Sequence, residues 1–360
     1  KMAKKSISQS IRFPPFDSSN WIAEALPITK KKIESTDYAP NFIIETDDGW
    51  LIEQSSSDKK GIYEGDFPEV VHGRRVGWHL VPNNIHQRAR NLIRYSVAIL
   101  LISLLYLAFT PLMEWIGIPT FGTRSVRLGL LDYPLLATIV VPMMLIPILM
   151  RIGANFHDLR RQNSFLKETP PSPEIEIEPC SSDKNLVGKI SFQTIPEEWG
   201  RMTVSWRVGI LSPVREAIME AQGRTLTSQP SPGLSTALPF NTNLGLDDGT
   251  GVGEDTPMEA KNTQGGMFLR PMRIMALGGQ SDFSSGEHFE LTPPNEIWPG
   301  TCYSKLVRVH WELVIKIRRE GKGPILWVHP LIVGQNVEKA HVNNANLVDG
   351  RTEILVFIPN

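Results

Sequence analysis

The sequence predicts a membrane α-helical hairpin of two transmembrane helices, followed by a C-terminal all-β sandwich that carries one short helix. Two uncharged apolar stretches near the middle of the 360 residues predict the hairpin. Beyond residue 186, apolar side chains recur at every second position, which is the period of a strand. A net charge of −1 provides no field that would attract nucleic acid, so we expect no nucleic-acid partner.

The two apolar stretches cover residues 95–113 and 133–150. Each forms a helix of roughly 28 Å at 1.5 Å per residue, which matches the hydrocarbon core of a bilayer. A buried core helix is the alternative, but such a helix usually has a polar face, which both stretches lack. Pro142 and Pro147 predict an interruption in the second helix, either a hinge or a static kink, and we favour the static kink.

Basic residues flank the hairpin on both sides, whereas the connection over 114–132 holds only Arg124 and Arg127. The positive-inside rule then predicts a two-pass protein of the cell membrane with both termini in the cytoplasm. Cys180 and Cys302 would face a reducing compartment, so we expect free thiols. The membrane-orienting residues are Arg74, Arg75, Arg88, Arg90 and Arg94 before the hairpin and Arg151, Arg160 and Arg161 after it.

Three further regions are predicted before and after the transmembrane hairpin. Residues 1–70 should be weakly ordered, with a β-hairpin at 41–54 that turns at Asp47-Asp48-Gly49. This hairpin is too small to be stable alone, so it either packs on the later β domain or stays mobile. Residues 71–94 form a basic juxtamembrane segment, which contacts anionic lipid or only sets the orientation. Residues 151–174 continue the second helix into a Pro-rich linker. The pair His157-Asp158 suggests a metal, but two adjacent residues on a solvated helix do not make a site.

The β domain is predicted over 175–360. In 202–210 and 307–318 every second residue is apolar, which indicates strands with one buried and one wet face. Arg207, His310 and Glu312 fall on the predicted wet face. We expect Trp206, Trp311 and Trp327 in the core rather than stacked on a ligand.

One helix and one long insert interrupt these strands. Ser212-Pro213 is a cap followed by proline, and Gly223 suits the end of a helix over 214–222. Residues 225–266 are rich in Gly, Pro, Ser, Thr and Asn, and we expect them to form a disordered insert.

Part of the β domain resembles a known family. The run from His288 to Pro294, then Trp298-Pro299-Gly300, and then residues 306–316 are similar to arrestin-like β-sandwiches, which share the immunoglobulin-like layout. There, too, a short strand ends in prolines and a long strand with an aromatic residue follows. The resemblance covers about 30 residues and implies a scaffold that binds other proteins. It implies no catalytic residues.

Motifs for chemistry are weak throughout. The glycines of 249–253 have acidic flanks and no strand–helix frame, so a nucleotide loop is disfavoured. The nearby acidic residues fail the spacing of an EF-hand, and no nucleophile motif is found. We expect no cofactor, no metal and no catalytic residues.

These observations predict a membrane-tethered binding or adaptor protein that presents its β-sandwich to a protein partner. A subunit of a larger membrane assembly, such as a transporter or secretion complex, is one alternative hypothesis. An enzyme whose site has no local motif is another. The lipid bilayer is the expected environment of the hairpin, and oligomer formation is left open.

Overall fold

The computed structural model describes residues 5–12, 28–35, 37–46, 49–211, 213, 215–225, 265–269, 272 and 274–347. The chain divides into two compact units. We call Lys1–Val81 together with Thr169–Asn360 the β unit, and Pro82–Glu168 the helical unit. The helical unit is therefore inserted into the sequence of the β unit. Residues 226–264 of the insert predicted over 225–266, the residues Asp47, Asp48 and Ser212, and the C-terminal residues from 348 onward lie outside the described residues. Gly265 and Gly266, at the end of the predicted insert, belong to a strand.

The described elements follow one another along the chain as strands, helices and strands again. The helices are α1 (Glu69–Arg74), α2 (Ile85–Trp115), α3 (Leu135–Met143), α4 (Leu145–Lys167) and α5 (Arg215–Ala221). The strands are β1 (Lys5–Arg12), β2 (Ile28–Ser35), β3 (Phe42–Glu45), β4 (Leu51–Ser55), β5 (Gly77–Leu80), β6 (Ser125–Leu128), β7 (Leu131–Pro134), β8 (Glu174–Ile177), β9 (Cys180–Ser181), β10 (Leu186–Ser191), β11 (Trp199–Ile210), β12 (Gly265–Phe268), β13 (Ile274–Asp282), β14 (His288–Leu291), β15 (Cys302–Tyr303), β16 (Arg308–Arg319), β17 (Lys322–Leu331), β18 (Val333–Gly334), β19 (Ala340–Val342) and β20 (Asn346–Leu347).

Strands from both halves of the sequence form a five-stranded sheet in the order β19-β3-β4-β1-β2. β19 pairs parallel with β3, where Ala340 lies opposite Phe42. β3 and β4 form an antiparallel hairpin in which Ile44 faces Ile52, and Gly49 adopts a φ of 82° in its turn. The hairpin predicted over 41–54 therefore packs on the predicted β domain, and the β unit also includes residues that precede the predicted boundary at 175. A lone hairpin leaves its apolar face uncovered, and this one is completed by other strands.

The main sheet has the order β12-β5-β17-β16-β11-β13-β20, with β15 also paired to β16. β5 precedes the helical unit in sequence and pairs antiparallel with β17. The predicted juxtamembrane segment over 71–94 is therefore divided between the two units. Its first part supplies β5 and its last part begins α2.

One face of the main sheet is the tryptophan-rich core that alternation predicted. Trp206 and Trp311 lie with their ring centroids 4.9 Å apart. Both are fully buried, and Trp327 is buried as well, which confirms that these indoles belong to the core. Trp206 Nε1 donates a hydrogen bond of 2.7 Å to the carbonyl of Thr292, just beyond β14. β14 belongs to a three-stranded sheet in the order β14-β10-β8.

The opposite face of the main sheet corrects the prediction of a wet surface. Arg207, His310, Glu312 and Val314 are buried there. Two apolar clusters account for this burial. The first contains Val71, Leu211, Met272 and Met275, and the second contains Leu269, Val314, Leu326 and Val328. Alternation reports the period of a strand, but it does not report whether a further layer covers the polar side.

α5 lies where the cap and the glycine predicted a helix. Gly223, with a φ of 64°, terminates the helix, and the N–H of Arg224 donates a hydrogen bond of 2.8 Å to the carbonyl of Met219. α5 lies against β2, because Lys31 pairs with Glu220 of the helix at 2.5 Å. This places α5 beside the edge strand of the five-stranded sheet.

The helical unit contains one continuous and one interrupted helix. α2 runs without a break, whereas the second apolar stretch is divided into α3 and α4 at Met144. Pro147 lacks an N–H, and its ring clashes with the carbonyl four residues earlier, that of Met143. At the same place, the N–H of Met144 donates a hydrogen bond of 3.1 Å to the carbonyl of Val141, three residues earlier. The interruption predicted from the prolines is therefore confirmed at Met144. In the connection, β6 and β7 pair as a hairpin.

Candidate functional site

The helical unit exposes most of its apolar side chains. α2 and the α3–α4 pair are long and apolar enough to cross a membrane, and only 17% and 11% of their most apolar windows are buried. A core helix of a soluble protein buries its apolar face, so the core-helix alternative does not fit these side chains. We define the apolar belt as Leu101, Ile102, Leu104, Leu105, Phe109, Ile139, Val141, Leu145, Ile148 and Leu149, which are all exposed.

A polar clamp fastens the first turn of α2 to α4. Asp158 is buried, and its Oδ2 accepts from the backbone N–H of Asn83 at 3.1 Å and from Nε2 of His86 at 2.9 Å. Its Oδ1 accepts from Arg161 at 3.1 Å. His157 lies beside the clamp, with Nδ1 3.3 Å from Asn83 Nδ2. Among the described residues no three His, Cys, Asp or Glu side chains are grouped to hold a metal ion.

The predicted orienting arginines differ in their exposure to solvent. Arg88, Arg94, Arg151 and Arg160 are exposed near the ends of the apolar stretches. Arg90 and Arg161 are half-buried beside them, and the side chain of Arg74 lies outside the described residues. Arg75 corrects the predicted set, because it is buried in the β unit and its charge is paired with a carboxylate there.

That carboxylate is Glu312, the centre of a buried charged cluster on the covered face of the main sheet. Arg75 binds it with two bonds of 2.7 Å, from Nε to Oε2 and from Nη2 to Oε1. Arg207 Nε donates to Oε1 at 2.5 Å. Arg207 lies directly opposite Glu312 in the ladder between β11 and β16, so the strand register itself positions this pair. Such fork-shaped charged bonds are among the strongest that side chains make.

His310 and Tyr303 extend the cluster away from the arginines. His310 Nε2 lies 3.1 Å from Glu312 Oε2, and its Nδ1 lies 2.7 Å from the hydroxyl of Tyr303. Burial lowers the pKa of His310. A neutral ring then donates a hydrogen bond from Nε2 to the carboxylate and accepts one at Nδ1 from the hydroxyl of Tyr303. Tyr63 contacts Tyr303 edge-on at 5.3 Å between ring centroids.

Two opposing effects act on the pKa of Glu312. Burial alone would raise it, but the charges of Arg75 and Arg207 and the hydrogen bond of His310 hold it well below its usual range. The carboxylate is therefore ionised and fully enclosed. The charged cluster therefore links β11, β16 and the segment before β5. Because Glu312 is closed off from solvent, a substrate does not reach it in this structure.

A small polar cavity adjoins Tyr303. It has a volume of about 30 Å³ and is lined in part by Gln9, Tyr38, Gln54 and Cys302. That is room for one or two water molecules and not for a substrate. Burial raises the pKa of Cys302 to about 12, so its thiol stays protonated near neutral pH and is not an activated nucleophile.

Acid should weaken the β unit through His310. Its folded pKa lies below the ordinary value of 6.5, so the unfolded chain takes up a proton that the folded chain does not. The stabilisation is complete above the unfolded pKa and is lost as the pH falls toward the folded one. We expect His310→Gln to flatten the fall in the free energy of unfolding between about pH 7.5 and 5.5, measured by urea denaturation in mild detergent.

His288→Gln is the matched control, since His288 is an exposed histidine on a strand. It should leave the pH dependence unchanged. His329, whose pKa is also lowered by burial, should preserve part of the slope in both variants. Equal slopes for His310→Gln and the parent chain would contradict the assignment.

Sequence reasoning missed this cluster, although a signal was present. The outward positions of β11 and β16 include Gly209 and Val314, which a fully wet face does not favour. Arg207, His310 and Glu312 stand in that same outward row. A polar row with apolar members indicates a covered face. The contribution of Arg75 from a distant segment has no comparable signal.

Comparison with protein-family models and with curated proteins finds no match. The apolar belt and the flanking charges are therefore the features of the chain that indicate its function.

Proposed function

We propose that the protein is a membrane-anchored binding module. The helical unit spans the cell membrane twice, and the β unit binds a protein partner in the cytoplasm. The apolar belt is the observation that carries the proposal, because so large an exposed apolar surface is unstable in water and matches the interior of a bilayer.

The flanking charges support the orientation. Arg88 and Arg94 precede the first apolar stretch, and Arg151 and Arg160 follow the second, all with exposed side chains. Positive charge of this kind stays on the cytoplasmic side. Both ends of the helical unit therefore lead into the cytoplasm, and the β unit, which continues from both ends in sequence, is cytoplasmic as well.

β8 is the edge that we propose for partner binding. Within the described part of the chain, β8 pairs only with β10, so its other edge is open. The N–H of Glu178, the residue after the strand, donates 3.1 Å to the carbonyl of Val187. Because alternate residues of an antiparallel pair point toward the partner strand, the N–H and C=O groups of Ile175 and Ile177 point to the open edge. An extended segment of another protein can add a strand there.

The charge of this edge indicates the chemistry of the partner. Glu174, Glu176 and Glu178 are exposed along one side of the strand. We therefore propose that the partner contributes an extended segment with basic side chains. The scaffold role that an arrestin-like resemblance implies belongs to the same proposal.

Charge reversal of β8 tests this directly. Glu176→Lys with Glu178→Lys should reduce the amount of partner recovered after crosslinking in native membranes by about tenfold or more, because like charges across an interface are strongly unfavourable. The captured proteins are identified by mass spectrometry. Glu197→Lys with Glu287→Lys, two exposed acids outside β8, is the matched control and should not change recovery.

Ile175→Pro provides an independent variant, since it removes an outward N–H and leaves the bonds of the neighbouring residues to β10 in place. Unchanged recovery of the same proteins from both β8 variants would contradict partner binding at this edge. A membrane complex that stays intact in both would favour the assembly-subunit alternative.

A further inference from the structure

The connection between the two apolar helices exposes large apolar side chains of its own. Leu130 is 95% exposed, Phe121 86% and Trp115 80%. Further exposed members of this group are Ile116, Ile118, Leu128 and Leu131. A connection that projects into water is expected to be polar, so this composition calls for another environment.

The connection folds back along α2. The N–H of Phe121 donates 2.7 Å to the hydroxyl of Tyr106. Tyr106 lies inside the first apolar stretch, and Met113 at the end of that stretch is ~10 Å further along the helix at 1.5 Å per residue. A phenol hydroxyl does not reach that far from its own Cα. Phe121 therefore lies beside the outer part of the apolar stretch and not beyond its end.

The β6–β7 hairpin is fixed to the start of α3. The N–H groups of Leu135 and Leu136 donate to the carbonyls of Arg124 and Gly122, each at 2.9 Å. At the other end of the hairpin, Gly129 adopts a φ of 67°, which places Leu130 at the tip. The exposed apolar side chains are thus held by a defined structure.

The charges of the connection cancel one another. It contains Glu114 and Asp132 together with Arg124 and Arg127. Arg127 lies directly opposite Asp132 in the hairpin ladder. The connection therefore has no net charge that would hold it in bulk water or attract a charged partner.

We propose that the connection is inserted into the outer leaflet of the membrane, with Trp115, Phe121, Leu128 and Leu130 at the boundary between headgroups and acyl chains. This inference rests on the proposed membrane-spanning function. Lipid is the proposed contact of these side chains because the connection is continuous in sequence with the helices of the apolar belt. Phe121 also lies beside the outer part of the first apolar stretch. Apolar side chains of interfacial segments are buried by roughly 5–10 Å at this boundary.

Depth-dependent fluorescence quenching tests the inference on the full chain. Leu130→Cys is labelled with a nitrobenzoxadiazole maleimide and reconstituted into phosphatidylcholine vesicles that carry a doxyl quencher near the headgroup or near the acyl terminus. Burial raises the pKa of Cys180 to about 11 and that of Cys302 to about 12, so both native thiols react slowly. Leu101→Cys, in the apolar belt, and Glu287→Cys, exposed in the β unit, are labelled in the same way.

We expect the label at 130 to be quenched severalfold more by the shallow lipid quencher than by the deep one, and to be protected from aqueous iodide. The label at 101 should respond to the deep quencher, and the label at 287 to iodide alone. If 101 responds to lipid but 130 responds to iodide alone, the connection lies in water and the inference is wrong. If 130 is protected from iodide and from both lipid quenchers, it contacts protein such as a second copy, which also overturns the inference. No lipid quenching at 101 would overturn the membrane-spanning function and the inference together.

Discussion

Replacing Glu312 with glutamine is expected to destabilise the β unit by about 3–5 kcal/mol, because the change removes the negative charge to which the buried Arg75 and Arg207 donate. Both arginines donate to Glu312, and all three side chains are buried. Glutamine preserves the size of the side chain, so a change in packing does not account for the effect. Urea denaturation followed by tryptophan fluorescence, with the full chain in mild detergent, measures it.

Two further variants separate the charge from other causes. Glu290→Gln changes an exposed glutamate that accepts a hydrogen bond from Asn185, and it should alter stability by no more than about 0.5 kcal/mol. The triple change Arg75→Met, Arg207→Met and Glu312→Leu removes every charge of the group and should restore most of the lost stability. A Glu312→Gln variant as stable as Glu290→Gln would show that the cluster does not hold the main sheet together.

Replacing residues 82–168 with a short Gly/Ser linker is expected to move the protein from the membrane fraction to the soluble fraction of the cell, because the linker removes both helices that are apolar enough to cross a membrane. The β unit keeps all of its described strands, because β6 and β7 lie in the helical unit. Trp78 Nε1 donates 2.9 Å to the carbonyl of Pro170, so the segments before and after the replaced part lie together in the β unit. Eight Gly/Ser residues span roughly 16 Å on average, which is enough to join them.

The linked protein should appear in the supernatant after cell fractionation. It should be folded, with Trp206 and Trp311 buried, and should lose this burial in one cooperative transition in urea. The matched control replaces only residues 116–132 with the same linker, which keeps both apolar stretches and should stay in the membrane pellet. A linked protein that remains in the pellet in folded form would show that the apolar belt is not the membrane anchor.

Both apolar helices could be predicted from the sequence, since hydropathy over a long uncharged run is a local property. The break near Pro142 and Pro147 and the helix that ends at Gly223 were predictable for the same reason. Alternation also identified β11 and β16, because a strand of twelve residues repeats its period several times.

Long-range pairing was not predictable in this way. β5 joins β17, and β19 joins β3, across most of the sequence, and neither short strand carries a signal for its partner. The cover over the second face of the main sheet includes Val71, which is remote in sequence from β11 and β16. For this reason the charge pattern of the sequence predicts Arg75 at the membrane interface, although it pairs with Glu312.

The membrane anchor is tested most directly by alkaline carbonate extraction of native membranes that contain the full chain. Carbonate at high pH releases peripheral proteins and leaves bilayer-spanning helices in the pellet. We predict that the chain stays in the pellet and is released only by detergent. Recovery of the intact, folded chain in the carbonate supernatant would contradict the account.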